Sequence, residues 1–406
     1  MNKTFNVKRI IGRGFAFILL ITILLTGVIV AMAFSDFGQQ PQGEYVNRIK
    51  SSPEWHDEHF ENIHPMWTNA KDALLGSILH SNPDAQPAEF PLPTSSASFS
   101  SPPATGLRIT WMGHSSLVVE IDGVNVLIDP VWSDRVSPIN WIGPKRWYGP
   151  TLALEDLPPI DVVLISHDHY DHLDHNTIVK MKNWKAHFVV PLGIGAHLRY
   201  WGIPEDRITE LDWWQSTKIK QLDIVSTPSR HASGRLSPDS DKTLWSGFAL
   251  HGDQNRVYYS GDTGFFPEFK EIGEKLGPFD VTMIEVGQYD ADWPDWHLGP
   301  EQAVQAHRLV KGNMLLPVHW GLFKLAQHGW TEPVERVLAA ASCYDINVLT
   351  PKPGQSFEPR QHPTLKPWWP QTPWRTAEQK PIVATLNGNA AERISPLHCA
   401  DAAQKN

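Results

Sequence analysis

An α/β fold is predicted by three features of the sequence. Short, β-branched apolar runs bounded by turn residues read as buried strands, notably 162–165, 224–227, 257–260 and 314–318. Stretches of helical character, such as 301–311 and 331–341, alternate with such runs. Histidine or aspartate stands at or just past the exit of each of these strands.

The first of those exits carries the densest chemistry. Residues 162–165 lead directly into Ser166-His167-Asp168-His169-Tyr170-Asp171-His172-Leu173-Asp174. His167 and His169 are two apart, so in extended backbone they project to the same side. Asp171 and His172 follow in the turn, within reach of a second ion. A lone histidine usually packs or faces solvent, but imidazoles and a carboxylate crowded at one strand end suit zinc and neighbouring first-row metals.

Three later exits supply further candidates. His231 follows the run 224–227 and the turn Pro228-Ser229-Arg230, Asp262 is bracketed by Gly261 and Gly264, and His319 closes the run 314–318 before Trp320-Gly321. Singly, each reads equally well as a loop, turn or packed residue. Together with the dense loop they make five histidines and two aspartates. Both cysteines, Cys343 and Cys399, lie far from these positions, which argues against a closed structural zinc site. Whether they pair is not legible.

The N-terminus carries a second signal. Residues 14–35 form an uncharged stretch rich in Phe, Ile, Leu and Val, preceded by Lys3, Lys8, Arg9 and Arg13. Roughly 20 such residues span a bilayer as a helix, and the flanking cations keep the short N-terminus cytoplasmic. A single-pass anchor at 1–35 is the expectation, with the remainder on the periplasmic or extracellular side. The rival is a cleaved signal peptide ending at Ala31-Met32-Ala33, with a mature chain starting at Phe34. The net charge of −9 argues against a nucleic-acid partner, because phosphate backbones recruit basic surfaces.

Residues 36–104 read as an extension ending in a Pro/Ser linker from Pro91 to Pro103, with Trp55, Phe60, Ile63 and Trp67 on a helix packed against the domain. A hydrolase domain is expected over 105–360. The tail 361–406, with Lys366-Pro367-Trp368-Trp369-Pro370 and Trp374, is too proline-rich for regular structure. It either straps the domain or dips its tryptophans into a lipid interface.

Longer motifs sharpen the reading. They include Thr110-Trp111-Met112-Gly113-His114-Ser115, Leu127-Ile128-Asp129-Pro130-Val131-Trp132, Ile142-Gly143-Pro144-Lys145-Arg146, Leu211-Asp212-Trp213-Trp214, Ser260-Gly261-Asp262-Thr263-Gly264 and Val318-His319-Trp320-Gly321. With the histidine loop, they give a chain that resembles the metallo-β-lactamase superfamily, and within it the N-acyl-phosphatidylethanolamine-hydrolysing phospholipase D family, from about residue 106 to 357. The resemblance implies a four-layer αββα sandwich with two metals at one edge. It implies one ion on His167, His169 and His231, another on Asp171, His172 and His319, and Asp262 bridging them. The ions would be divalent, zinc first, with manganese or iron also suited to such ligands. His114 and His297 are candidates for substrate contact or for protonating the leaving oxygen, against a purely structural role.

A paired-cation site can lower the pKa of a shared water and neutralise a phosphoryl oxygen. The function implied by the resemblance is a phosphodiesterase of phospholipase D type, acting on an N-acylated glycerophospholipid or small phosphodiester and releasing phosphatidic acid and an N-acylethanolamine. Two other classes compete: a lactonase or other carboxylic-ester or amide hydrolase using the same ions on a carbonyl, and a non-catalytic envelope protein that kept the fold. The segment 288–296, with Asp-Trp-Pro-Asp-Trp, departs from the lipase pattern and leaves acyl and headgroup preference open.

Overall fold

The structure, a computed structural model, describes residues 7–72, 82–236 and 239–394, with side chains in the first helix described at 12–28 and 33. Lys3 and Cys399 lie outside these residues, and with them the question of a Cys343–Cys399 pair. A helix spans Val7–Ala33, and its large side chains stand exposed, among them Phe15, Ile18 and Leu24 at 69%, 64% and 60%. Among the described residues no helix is long and apolar enough to cross a membrane.

The chain next turns back in a small hairpin, β1 (Trp55–His56) and β2 (His59–Phe60). This replaces the helix expected there. Asp57 and Glu58 both take left-handed φ, 44° and 67°, the pair of torsions a tight two-residue hairpin needs and a helix forbids. The expected packing forms for Trp55 and Phe60, which join Leu192, Trp213 and Trp245 in a cluster of their own, while Ile63 stays 48% exposed.

Two seven-stranded sheets follow. The first contains β3 (Leu107–Gly113), β4 (Ser116–Ile121), β5 (Val124–Ile128), β6 (Val162–Leu164), β7 (His187–Pro191) and β8 (Ile208–Leu211). The second contains β9 (Ser216–Ile219), β10 (Leu222–Thr227), β11 (Gly247–His251), β12 (Arg256–Tyr259), β13 (Phe279–Glu285), β14 (Gly312–Val318) and β15 (Asn347–Val348). A last strand, β16 (Ser356–Phe357), returns to the first sheet beside β3. Each sheet begins antiparallel, through β5 and through β12, and continues parallel, β5 to β8 and β12 to β15.

Strand alternation decides the layering. Along β4 to β7, Leu117, Val119, Ile121, Val126, Ile128, Val162, Leu164 and Val189 join the core shared with the second sheet. The intervening Val118, Leu127, Val163, Phe188 and Val190 turn the other way. They meet Ile178 and Leu198 on the helices His175–Lys180 and Gly195–Tyr200. A period of two thus feeds two cores at once. On the far side, the helices Phe269–Lys275, Pro300–Leu309 and Glu332–Ser342 contribute Ile272, Val304, Val334 and Val337. Each such side chain, fully buried, stabilises the sandwich by roughly 1.5–3 kcal/mol. The four-layer αββα arrangement implied by the resemblance is the one observed.

The tail packs rather than projects. Trp368 and Trp369 are 7% and 5% exposed, which overturns the lipid-dipping alternative for these two, while Trp374 is half-buried. Trp368 stacks on Trp320 at 5.4 Å between ring centroids, and Trp320 stacks in turn on Trp111 at 5.4 Å. Gly321, at φ 76°, lets this stack close, since a Cβ there would sit 3.2 Å from the Trp111 ring and 3.6 Å from that of Trp368. Trp369 Nε1 donates to Glu335 Oε1 at 2.8 Å.

Candidate metal centre

The carboxyl ends of strands from both sheets converge at one edge. From the first sheet come Asp129, one residue beyond β5, and the loop 166–174 beyond β6. The loop is held tightly: Ser166 N donates to Asp129 Oδ1 at 2.8 Å, and His172 N and Leu173 N both donate to His169 O, at 3.0 and 2.8 Å. Asp174 then caps the following helix by accepting from Asn176 N. From the second sheet come His231 beyond β10, Asp262 beyond β12, Glu285 ending β13 and His319 beyond β14. This is where open α/β sheets bind ligands, outside the carboxyl ends of their strands.

The seven residues singled out in the sequence meet here. His167, His169 and His231 each offer an atom within 4.8 Å of the others, as do His114, Asp171, His172 and His319. His167 Nε2 lies 2.9 Å and His231 Nε2 3.3 Å from His169 Nδ1, so three imidazole nitrogens face one point. Asp262 sits between the clusters. Its Oδ2 is 3.7 Å from His167 Nε2, 3.8 Å from His231 Nε2 and 3.2 Å from His172 Nε2, and its Oδ1 is 3.1 Å from His319 Nδ1.

The donor set fits divalent cations. Buried His172 Nε2, His319 Nε2 and Asp262 Oδ1 have no hydrogen-bond partner, a costly state for polar atoms at such depth unless an ion takes them up. Burial holds His167, His231 and His319 well below the usual imidazole range, which keeps them neutral, as ligation needs. Burial opposes a charge on His172 too, but Asp262, Asp171 and Asp129 outweigh it and raise this one ring well above the ordinary value. The Asp262 carboxyl is pushed up to about 7 by burial, with Glu285 adding to the effect against the opposite pull of His172. Five imidazoles and two acids crowded against one another is the electrostatic pattern a pair of cations would relieve.

A second ring of contacts orients these groups, and most of it escaped the sequence reading. Fully buried Asp129 accepts from His172 Nδ1 at 2.7 Å, from Ser166 Oγ at 2.6 Å and from the Tyr259 hydroxyl at 2.5 Å, so His172 presents Nε2 inward. His231 Nδ1 donates to Trp296 O at 2.9 Å, with the same consequence for its Nε2. Glu285 accepts from Thr263 N at 2.6 Å and from His297 Nδ1 at 2.8 Å. Its signal was available, because it ends an apolar strand just as Asp262 follows one. Asp168, inside the dense loop, points away and accepts from Gly234 N at 2.7 Å and Thr243 Oγ1 at 2.8 Å.

The two further candidates part company. His297 is 15% exposed and lines an open cavity of about 310 Å³ with His169, Asp171, Asp262, His319, Trp293, Trp296 and Leu325. His114 is 1% exposed, takes a left-handed φ of 53° and donates through Nε2 to Asp171 Oδ2 at 2.9 Å. It therefore holds Asp171 from behind, and the substrate contact expected of it is corrected to a positioning contact. Residues of the extension also reach the site: Asn62 brackets the His231 backbone at 2.7 and 3.0 Å, and Trp296 Nε1 donates to Thr68 Oγ1 at 2.7 Å. Nothing in the sequence pattern of 36–104 signalled this.

Comparison with known proteins agrees with this architecture. Residues 124–320 match the Beta-lactamase superfamily domain. An uncharacterized protein of Mycobacterium tuberculosis is 46% identical over 79% of this chain and 88% of its own length. The N-acyl-phosphatidylethanolamine-hydrolyzing phospholipase D 1 of Caenorhabditis elegans is 40% identical over 54% of this chain and 65% of its own length. Among solved structures, the metallo hydrolase Igni18 of Ignicoccus hospitalis superimposes with a TM-score of 0.50 at 26% identity, covering 62% of this chain and 98% of that one.

Proposed function

We propose that this chain, which belongs to the beta-lactamase superfamily and is a metal-dependent hydrolase of that family, cleaves the phosphodiester of an N-acylated glycerophospholipid. Water would add to phosphorus, the distal P–O bond would break, and phosphatidic acid and an N-acylethanolamine would leave. The observation that carries the reading is Asp262 set between two imidazole clusters, supported by the 40% identity to a phospholipase D of that substrate.

In this reading His167, His169 and His231 hold one divalent ion, Asp171, His172 and His319 hold the other, and Asp262 is shared. Bound there, zinc or a similar cation supplies Lewis acidity toward a phosphoryl oxygen and acidifies water. The chain's own residues do the rest. Asp129 and the Trp296 carbonyl fix the inward-facing nitrogens of His172 and His231. His297, tethered through Nδ1 to Glu285 and kept neutral by burial, would take the proton of the attacking water on its other nitrogen and pass it to the departing oxygen. Trp293, Trp296 and Leu325 wall the cavity with apolar surface against which an acyl chain can rest.

The membrane placement belongs to the same reading. A membrane-anchored chain with the hydrolase on the non-cytoplasmic side is proposed on the sequence alone, from its uncharged stretch 14–35 and the cations that precede it. Metal-loaded protein presented with an N-acyl-phosphatidylethanolamine in mixed micelles should release equimolar phosphatidic acid and N-acylethanolamine. Turnover of lactones with no cleavage of any phosphodiester would overturn the assignment.

A further inference from the structure

One of the motifs quoted from the sequence, Ile142-Gly143-Pro144-Lys145-Arg146, plays no part in the metal centre. Its residues Gly143 to Arg146 line a separate cavity of about 580 Å³ together with Gln86, Phe90, Trp147 and Lys324. Three of those residues are cations and none is a carboxylate, in a chain whose net charge is −9. Lys145 is exposed, but Arg146 is 7% exposed, and its Nε has no hydrogen-bond partner. Another nitrogen of the same guanidinium, Nη1, donates to Trp132 O at 3.1 Å and fixes the group in place. Burial works against this charge and Asp134 and Asp174 offset it only in part, so an anion in the cavity would stabilise it further.

The local backbone builds the cavity deliberately. Gly143 takes φ 94°, and a Cβ there would fall 2.6 Å from the Ser137 Cβ, so the loop can fold over only with glycine at that turn. Arg146 N donates to Asp134 O at 3.0 Å, and Trp147 N donates to Leu322 O at 3.0 Å. The second bond ties this loop to the one that leaves His319. Lys324 faces this cavity while its neighbour Leu325 faces the metal cavity, so the two open side by side.

Exposed apolar side chains stand on the same stretch. Phe90, which lines the cavity, is 53% exposed, and Trp141 and Ile142, 53% and 47% exposed, immediately precede Gly143. On the other side of the same loop, Ser133 to Asn140 share a cleft with Ser35 and Asp36, where the exposed N-terminal helix joins the body. A basic lining with exposed aromatic and aliphatic side chains beside it matches a ligand that is anionic at one end and fatty at the other.

We propose that Lys145, Arg146 and Lys324 form a second anion site, distinct from the metal centre, that takes the phosphate group of an anionic glycerophospholipid while Phe90, Trp141 and Ile142 rest in its acyl region. The site rests on this cavity's own chemistry and not on the reaction proposed above, so a chain inactive toward phosphodiesters would still display it.

The test uses full-length, metal-loaded protein in a neutral detergent, titrated by calorimetry with dihexanoyl phosphatidate and, separately, with inorganic phosphate. The double variant Lys145→Gln/Lys324→Gln, altered only at lysines within reach of solvent, should bind the phosphatidate at least tenfold more weakly. Its metal content and its turnover of a bis-aryl phosphodiester should match those of the unaltered chain. Anion held at the metal centre remains in both and sets the baseline. Trp141→Ser should weaken phosphatidate several-fold and leave inorganic phosphate unchanged. Identical titrations for the double variant and the unaltered chain would overturn the site. Inorganic phosphate bound as tightly as phosphatidate, with Trp141→Ser affecting neither, would overturn the lipid assignment and leave a site for the free anion.

Discussion

The loop 166–174 and the tail 361–394 are both rich in one side chain with two possible meanings, and they resolve in opposite ways. Histidines in the loop converge on a point a few ångströms across. Tryptophans in the tail could as well have faced a lipid surface, yet Trp368 and Trp369 are packed beneath the His319 loop through Trp320. The loop's chemistry is written within nine residues of sequence, whereas the tail's depends on a partner some fifty residues away in the chain. Local crowding of one residue type is readable, while the side of the molecule it faces is not.

That contrast can be broken at several points. The largest effect is expected at Asp262, the proposed shared ligand facing the loop: Asp262→Asn should lower kcat on the order of 10³-fold or more, checked by steady-state turnover at full metal occupancy. Near-normal turnover would remove Asp262 from between the ions. The tail should answer in stability instead. Trp368→Ala is expected to cost about 3–5 kcal/mol, read by denaturant unfolding, and an unchanged midpoint with weaker vesicle binding would restore the lipid-facing alternative.

A smaller effect should appear behind the loop, where Asp129→Asn leaves the ligands in place but loosens the His172 ring. Metal affinity or activity should fall about 10–100-fold, measured by competition with a chelating dye. The smallest effect lies away from both regions. Burial holds His307 and His328 at about 4 in the folded chain, below the unfolded value near 6.5. Over this window the unfolded state binds more protons, so stability is full above pH 6.5 and declines as pH falls toward 4. Between pH 6.5 and 5.5 the loss should be about 1 kcal/mol for each histidine. His328→Gln, which keeps a polar group beside Gln288 N, should remove one share of that slope in unfolding titrations.

What the sequence disclosed follows from how far each signal reaches. Strands over 162–164, 222–227, 256–259 and 312–318 carried their own apolar pattern, and their exits delivered His231, Asp262 and His319 to the site. The helices near 301–311 and 331–341 also formed within two residues of expectation. The hairpin at residues 55–60 was missed because Asp57 and Glu58 are not the Asn-Gly pair that advertises such a turn. His114 was misread because its glycine-flanked turn suggested access, whereas its ring is closed in between His319 and Phe323 at centroid distances of 4.2 and 5.2 Å. Asn62 and Thr68 touch the site across more than 160 positions, a separation at which single-residue chemistry leaves no trace.

One arrangement has a mechanical consequence. His319 N donates to His114 O at 2.9 Å and His114 N to Trp320 O at 3.2 Å, with both histidines in left-handed backbone, so the two sheets are stitched together at the very edge where their acids and imidazoles meet. An ion seated there would rivet one half of the sandwich to the other. Its removal should therefore lower the unfolding midpoint of the whole domain as a unit, and its concentration should set that midpoint.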